Sequence, residues 1–83
     1  MEIGVEISLY PLATDFIPPI QGFIDRLNAL NVDGRFKVIT NQMSTQVFGR
    51  YEEVMDALTR ELKPTFERDG KAIFVMKVLG PLG

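Results

Sequence analysis

Hydroxyls, side-chain amides and one phenol are gathered in two short runs of the chain, Ser8-Leu9-Tyr10-Pro11 and Thr40-Asn41-Gln42-Met43-Ser44-Thr45. Ser8, Tyr10, Asn41, Gln42, Ser44 and Thr45 can all form neutral hydrogen bonds, and Tyr10 adds an aromatic face. Groups of this kind orient a small molecule inside a mainly apolar pocket. The same residue types also close turns by bonding to nearby backbone. Both readings, a ligand site and a purely local role, stand at this level.

Other chemistries are closed off by composition. The chain has neither Cys nor His. Thiolate nucleophiles, disulfides, the usual zinc sites, Ser-His-Asp triads and imidazole proton transfer are therefore excluded. Net charge is −2 with nine Lys and Arg scattered along the chain, which argues against a nucleic-acid surface. Glu2 and Glu6 share one strand face, and Glu52, Glu53 and Asp56 suit a solvated helix start, so no carboxylate pair singles itself out. The glycines are isolated and form no phosphate-binding loop. Apolar runs are far too short to span a membrane, and the opening Met1-Glu2 with alternating residues is unlike a secretory leader. A cytoplasmic protein of one 83-residue domain, residues 1–83, is expected.

The elements that must position the two runs follow from periodicity. Ile3, Val5, Ile7 and Leu9 alternate with polar or small residues and predict a strand closed by Pro11. Thr14 or Asp15 is the expected cap of a first helix, with Pro18 and Pro19 in its first turn. Ile20, Phe23, Ile24, Leu27 and Leu30 form its apolar stripe, and Gly22 is expected to pack closely against a strand. Asn31-Val32-Asp33-Gly34 turns the chain. Phe36–Met43 and Thr45–Phe48 predict two tightly joined strands, or one long strand with a bulge near Met43-Ser44. A second helix is expected from Tyr51 with Val54, Met55, Leu58, Leu62 and Phe66 on its inner face, kinked or stopped at Pro64. Lys71–Leu79 predicts a last strand that is apolar on both sides.

The order β-α-β-β-α-β with right-handed crossovers predicts an α+β, ferredoxin-like sandwich: a four-stranded antiparallel sheet with two helices on one face. The first and third strands are then the inner neighbours, which brings the two polar runs towards one another. Two helices cover one side of the sheet only. The apolar last strand therefore predicts self-association through the open sheet face, as a dimer or tetramer.

Across these residues the chain resembles the thiamine-binding protein family, which includes the YkoF-type proteins. The likeness is carried by EISLYPL near the start, by Met43-Ser44-Thr45 followed by Val47-Phe48-Gly49, and by the helix opening Tyr51-Glu52-Glu53-Val54. It runs from about Ile3 to Leu79. The resemblance implies a ferredoxin-like fold, a cytoplasmic location, oligomers built through sheet faces, and binding of thiamine or its hydroxymethylpyrimidine moiety. It carries Ser8, Tyr10, Met43, Ser44 and Thr45 over as ligand contacts; Asn41 and Gln42 stand where the family often has another pair. YkoF-type chains hold two copies of the unit and this chain holds one, so a homo-oligomer replaces the tandem. Asn41, Ser44 and Thr45 suit an aminopyrimidine, and Tyr10 suits a thiazolium cation. A binder needing no catalytic cofactor is expected, not an enzyme. The competing classes are an acylphosphatase-like hydrolase using Asn41 and Arg50, an RNA-recognition module, and a regulatory or structural oligomerisation domain.

Overall fold

The computed structural model describes residues 1–31 and 33–83; Val32, part of the expected turn after the first helix, lies outside the described residues. The alternating opening forms β1 (Glu2–Pro11), with Ile3, Val5, Ile7 and Leu9 turned into the core. It is followed by α1 (Ile17–Leu30), β2 (Phe36–Thr40), β3 (Thr45–Arg50), α2 (Tyr51–Asp69) and β4 (Ala72–Leu79). The strands form one antiparallel sheet in the order β2-β3-β1-β4, so β1 and β3 are the inner pair. Both helices pack on the face that carries Ile3, Val5, Ile7, Leu9, Phe36 and Val47, giving a ferredoxin-like α+β sandwich.

Several boundaries differ from the periodic expectation. Neither Thr14 nor Asp15 caps α1; Phe16 holds the capping position with no side-chain hydrogen bond, and Pro18 and Pro19 in the first turn reduce the number of N–H groups that need one. Strand β2 ends at Thr40, not Met43, because the Asn41 side chain ties the next residues into a loop. Strand β3 runs on through Gly49 and Arg50. A Cβ on Gly49 would sit 2.8 Å from Phe36 Cβ, so this glycine permits the β2–β3 approach.

Helix α2 does not stop at Pro64. It is anchored on both sides of the proline by residues that α1 holds. Arg26 donates from Nε to Glu61 Oε1 at 2.8 Å and from Nη2 to Thr65 Oγ1 at 2.7 Å. The buried stripe is accordingly Val54, Ala57, Leu58, Glu61 and Thr65; of the expected apolar face, Val54 and Leu58 are buried and Met55 and Leu62 pack against the core, partly buried. Phe66 is half-exposed and meets Phe74 edge-on at 5.6 Å. Gly22 approaches no strand; a Cβ there would meet only Arg26 Nη1, at 3.4 Å.

Candidate functional site

Strand pairing creates an opening at one end of the sandwich. Strand β1 pairs with β3 only as far as Ile7↔Thr45, but with β4 as far as Pro11↔Ala72. Ser8–Pro11 therefore overhang the hairpin. The start of α1 fills part of this space with Phe16, Ile20, Phe23 and Ile24, and the rest is a cavity of about 340 Å³. Its far wall is the loop between β2 and β3, from Thr40 to Thr45.

The overhang leaves backbone groups unpaired as well as space. Along a strand, the N–H and C=O of successive residues point alternately to the two neighbours. Leu12 N–H donates to Lys71 O and Glu2 O accepts from Leu82 N–H, both on the β4 side, whereas Met1 O accepts from Tyr51 N–H on the β3 side. Even-numbered residues of β1 thus face β4 and odd-numbered ones face β3. By this alternation the N–H and C=O of Leu9, one step beyond the last β1–β3 pair, open towards the cavity as an adjacent donor and acceptor.

Each expected contact residue lies on this cavity. Ser8, Tyr10, Asn41, Met43, Ser44 and Thr45 are brought together there with Gln42. They are not equivalent. Thr45 is buried, its Oγ1 3.3 Å from Thr40 Oγ1. Asn41 Oδ1 accepts from the N–H of Met43 at 2.8 Å and of Ser44 at 3.0 Å, so its carbonyl serves the loop and its amide NH₂ remains for other partners. Ser44 donates to Glu6 Oε2 at 3.1 Å, and Lys77 lies 3.4 Å from Glu6 Oε1, which ties the loop to β1 and β4 across the open face. The side chains of Ser8 and Tyr10 alternate away from Leu9 to the open face, and Tyr10 is 54% exposed at the rim. Met43 is 85% exposed at the loop tip, free to fold over an occupant as a flexible apolar side chain.

The α1 contribution was hidden in the sequence. Ile20, Phe23 and Ile24 have helical spacing and look like core; only the overhang turns part of that stripe into a cavity wall. The one available signal was Phe16, which with Ile17 forms an apolar pair just before a double proline.

No charged residue is among those that line the cavity. No cluster of carboxylates among the described residues could hold a metal ion. Arg50 is the last residue of β3 and Asn41 lies before its first, so the two stand at opposite ends of the strand and cannot share one phosphate. No helix among the described residues is long and apolar enough to cross a membrane.

No family model matches this chain, and no curated protein matches it. Solved structures do. A hypothetical protein of Methanocaldococcus jannascii superposes with a TM-score of 0.80 at 18% identity, covering 96% of this chain and 80% of that one. A Streptococcus pneumoniae protein gives 0.74 at 17% identity, covering 99% of this chain and 90% of that one. A Thermotoga maritima protein, provisionally assigned to thiamine biosynthesis or salvage, gives 0.70 at 19% identity, covering 94% of this chain and 82% of that one. At these identities the likeness is one of fold.

Proposed function

We propose that this chain binds thiamine or a related hydroxymethylpyrimidine in the cavity beside Leu9, without transforming it. The observation that carries the reading is the joint presence of an apolar, aromatic wall and neutral hydrogen-bonding groups in a space with no charged lining. A planar heteroaromatic ring fits such a place: the faces meet Phe16, Phe23 and Ile20, and the edge meets hydroxyl, amide and backbone groups. An aminopyrimidine presents a ring-nitrogen acceptor beside an amino donor, which complements the Leu9 N–H and C=O. The neutral lining favours the pyrimidine inside, with a thiazolium left at the rim near Tyr10. The provisional assignment of the Thermotoga maritima neighbour supports the same ligand class.

The binder acts in the cytoplasm, requires no catalytic cofactor, and self-associates through its open sheet face as a dimer or tetramer. On that face Tyr10, Phe48, Ile73, Val75 and Leu79 are apolar, and the Glu6–Lys77 pair is the charge at its middle. Calorimetric titration with hydroxymethylpyrimidine and with thiamine tests the ligand. Saturable heat with the pyrimidine is expected, and no heat with either at protein concentrations sensitive to micromolar affinity overturns the reading.

A further inference from the structure

Glu6 brings a charge to the margin of the cavity without lining it. Ser44, in the loop that forms the far wall, donates from Oγ to Glu6 Oε2 at 3.1 Å. Alternation along β1 puts Glu6, Ser8 and Tyr10 on the open face, opposite to the buried Val5, Ile7 and Leu9. Ser8 is the small member of this row, with Tyr10 on one side and Glu6 on the other. Across from it on β4 is Val75. On its other flank β3 supplies no partner, because the β1–β3 pairing ends at Ile7↔Thr45.

The result is a notch over Ser8 that adjoins the cavity, since Ser8, Tyr10 and Ser44 also line the latter. Alternate Cα atoms of a strand are roughly 7 Å apart, so Tyr10 and Glu6 bracket about 13 Å, room for one flat ring lying on Ser8. The groups around that place are a phenol, a carboxylate, two hydroxyls and the apolar Val75.

Glu6 is not locked in its present pairing. Its side chain is 41% exposed, and Lys77 reaches to 3.4 Å with a side chain that is 81% exposed. An ion pair so open to water is weak and exchanges partners readily. Space also lies on the far side of the carboxylate, where Glu6 and Lys77 line a second hollow of about 250 Å³ with Phe48 and Leu79.

We propose that Glu6 reads the positive charge of the ligand. The thiazolium ring of thiamine lies on Ser8 beside Tyr10, and the Glu6 carboxylate serves as its counter-ion in place of Lys77. The proposal rests on the ligand reading above and divides the site in two: the cavity takes the neutral pyrimidine and the notch takes the cation. An aromatic ring and a carboxylate are the groups that favour a fixed positive charge. Lys77 is then a competitor within the chain, displaced by a cationic ligand and left in place by a neutral one. Glu2 shares the same face at the end remote from the cavity, opposite Arg50, and supplies the control.

Calorimetric titration with thiamine and with hydroxymethylpyrimidine, which lacks the quaternary nitrogen, gives the ratio of the two affinities for each variant. Sedimentation at the same concentration checks that assembly is the same in each. Wild type is expected to prefer thiamine, and to do so less at high salt. Glu6→Gln keeps an oxygen for Ser44 and loses the charge, so the preference is expected to fall about fivefold or more. Lys77→Met removes the competitor and is expected to raise it about threefold. Glu2→Gln makes the same change in net charge and is expected to leave the preference alone. A Glu6→Gln protein with the wild-type preference overturns the proposal, as does an equal fall in Glu2→Gln or a fall in Lys77→Met. A wild type that binds the pyrimidine without preferring thiamine removes the counter-ion and leaves the cavity standing. A wild type that binds neither overturns both readings.

Discussion

Asn41 serves the loop with one atom and the cavity with another, and two substitutions separate those roles. Its Oδ1 receives the N–H groups of Met43 and Ser44 at 2.8 and 3.0 Å. Asn41→Ala removes that acceptor. Asn41, Met43 and the loop tip are exposed, so both N–H groups regain water and each lost bond counts at the low end of about 0.5–1.5 kcal/mol. The sum, about 1 kcal/mol, lowers the thermal midpoint of a chain of this size by roughly 4–8 °C. Asn41→Asp keeps an oxygen in the same place and keeps the loop, but replaces the amide donor with a carboxylate in a cavity whose lining holds no charge. Thermal unfolding followed by circular dichroism, paired with calorimetric titration of hydroxymethylpyrimidine, reads both effects. The alanine variant is expected to melt early and bind weakly. The aspartate variant is expected to melt near the wild type and to bind at least about tenfold more weakly, a loss of about 1.4 kcal/mol. An aspartate variant as unstable as the alanine one refutes the role given to Oδ1, and an aspartate variant that binds normally removes the amide from the site.

Arg26→Met strands Glu61 between the helices without its cation and is expected to destabilise the fold by about 3 kcal/mol or more at neutral pH, read from urea unfolding; adding Glu61→Leu should restore much of that loss. Phe16→Ala removes an aromatic wall that is already half-exposed, so ligand affinity is expected to fall about tenfold while stability shifts by less than about 0.5 kcal/mol. The Arg35 guanidinium, 2.9 Å from Asp33, holds that carboxyl below its ordinary value of 3.8. A lowered folded-state pKa stabilises above the unfolded pKa and is lost as pH falls through the folded one. Any gap in urea midpoint between wild type and Asp33→Asn at neutral pH should therefore narrow as the pH falls below 3.8.

The layered architecture was legible because β1 alternates strictly and α1 carries its stripe at helical spacing; both signals are set by burial on one side. Boundaries were less legible where a side chain competes with periodicity. The run Thr40-Asn41-Gln42-Met43 has no apolar interruption that would mark the turn, and the strand ends there only because Asn41 bonds forward to two N–H groups. In helix α2 the continuation past Pro64 and the two polar residues of the buried stripe share one reason. Glu61 and Thr65 look like solvent residues until Arg26, 35 and 39 positions away in sequence, reaches across from α1 to bind them. Of the candidate site, the polar half was legible as two clusters. The apolar half was not, because whether Ile20 and Phe23 are core or cavity wall depends on where β3 stops.

That stopping point is the physical origin of the site. Strand β1 has ten residues and β3 has six, and their pairing begins flush at Glu2↔Arg50, so the mismatch accumulates entirely at the other end. A continued β3 would have supplied a residue opposite Leu9, returning its two hydrogen bonds and filling the space before Phe23. The chain instead closes the hairpin early with Asn41 and leaves that place empty, walled by groups that carry no charge. The carboxylate nearest by bonding, Glu6, is turned to the open face and engaged by Ser44 and Lys77. A flat ring with a donor beside an acceptor on its edge can stand where the missing residue would be and complete the ladder. On the proposed reading, such an occupant is held by shape and by paired hydrogen bonds.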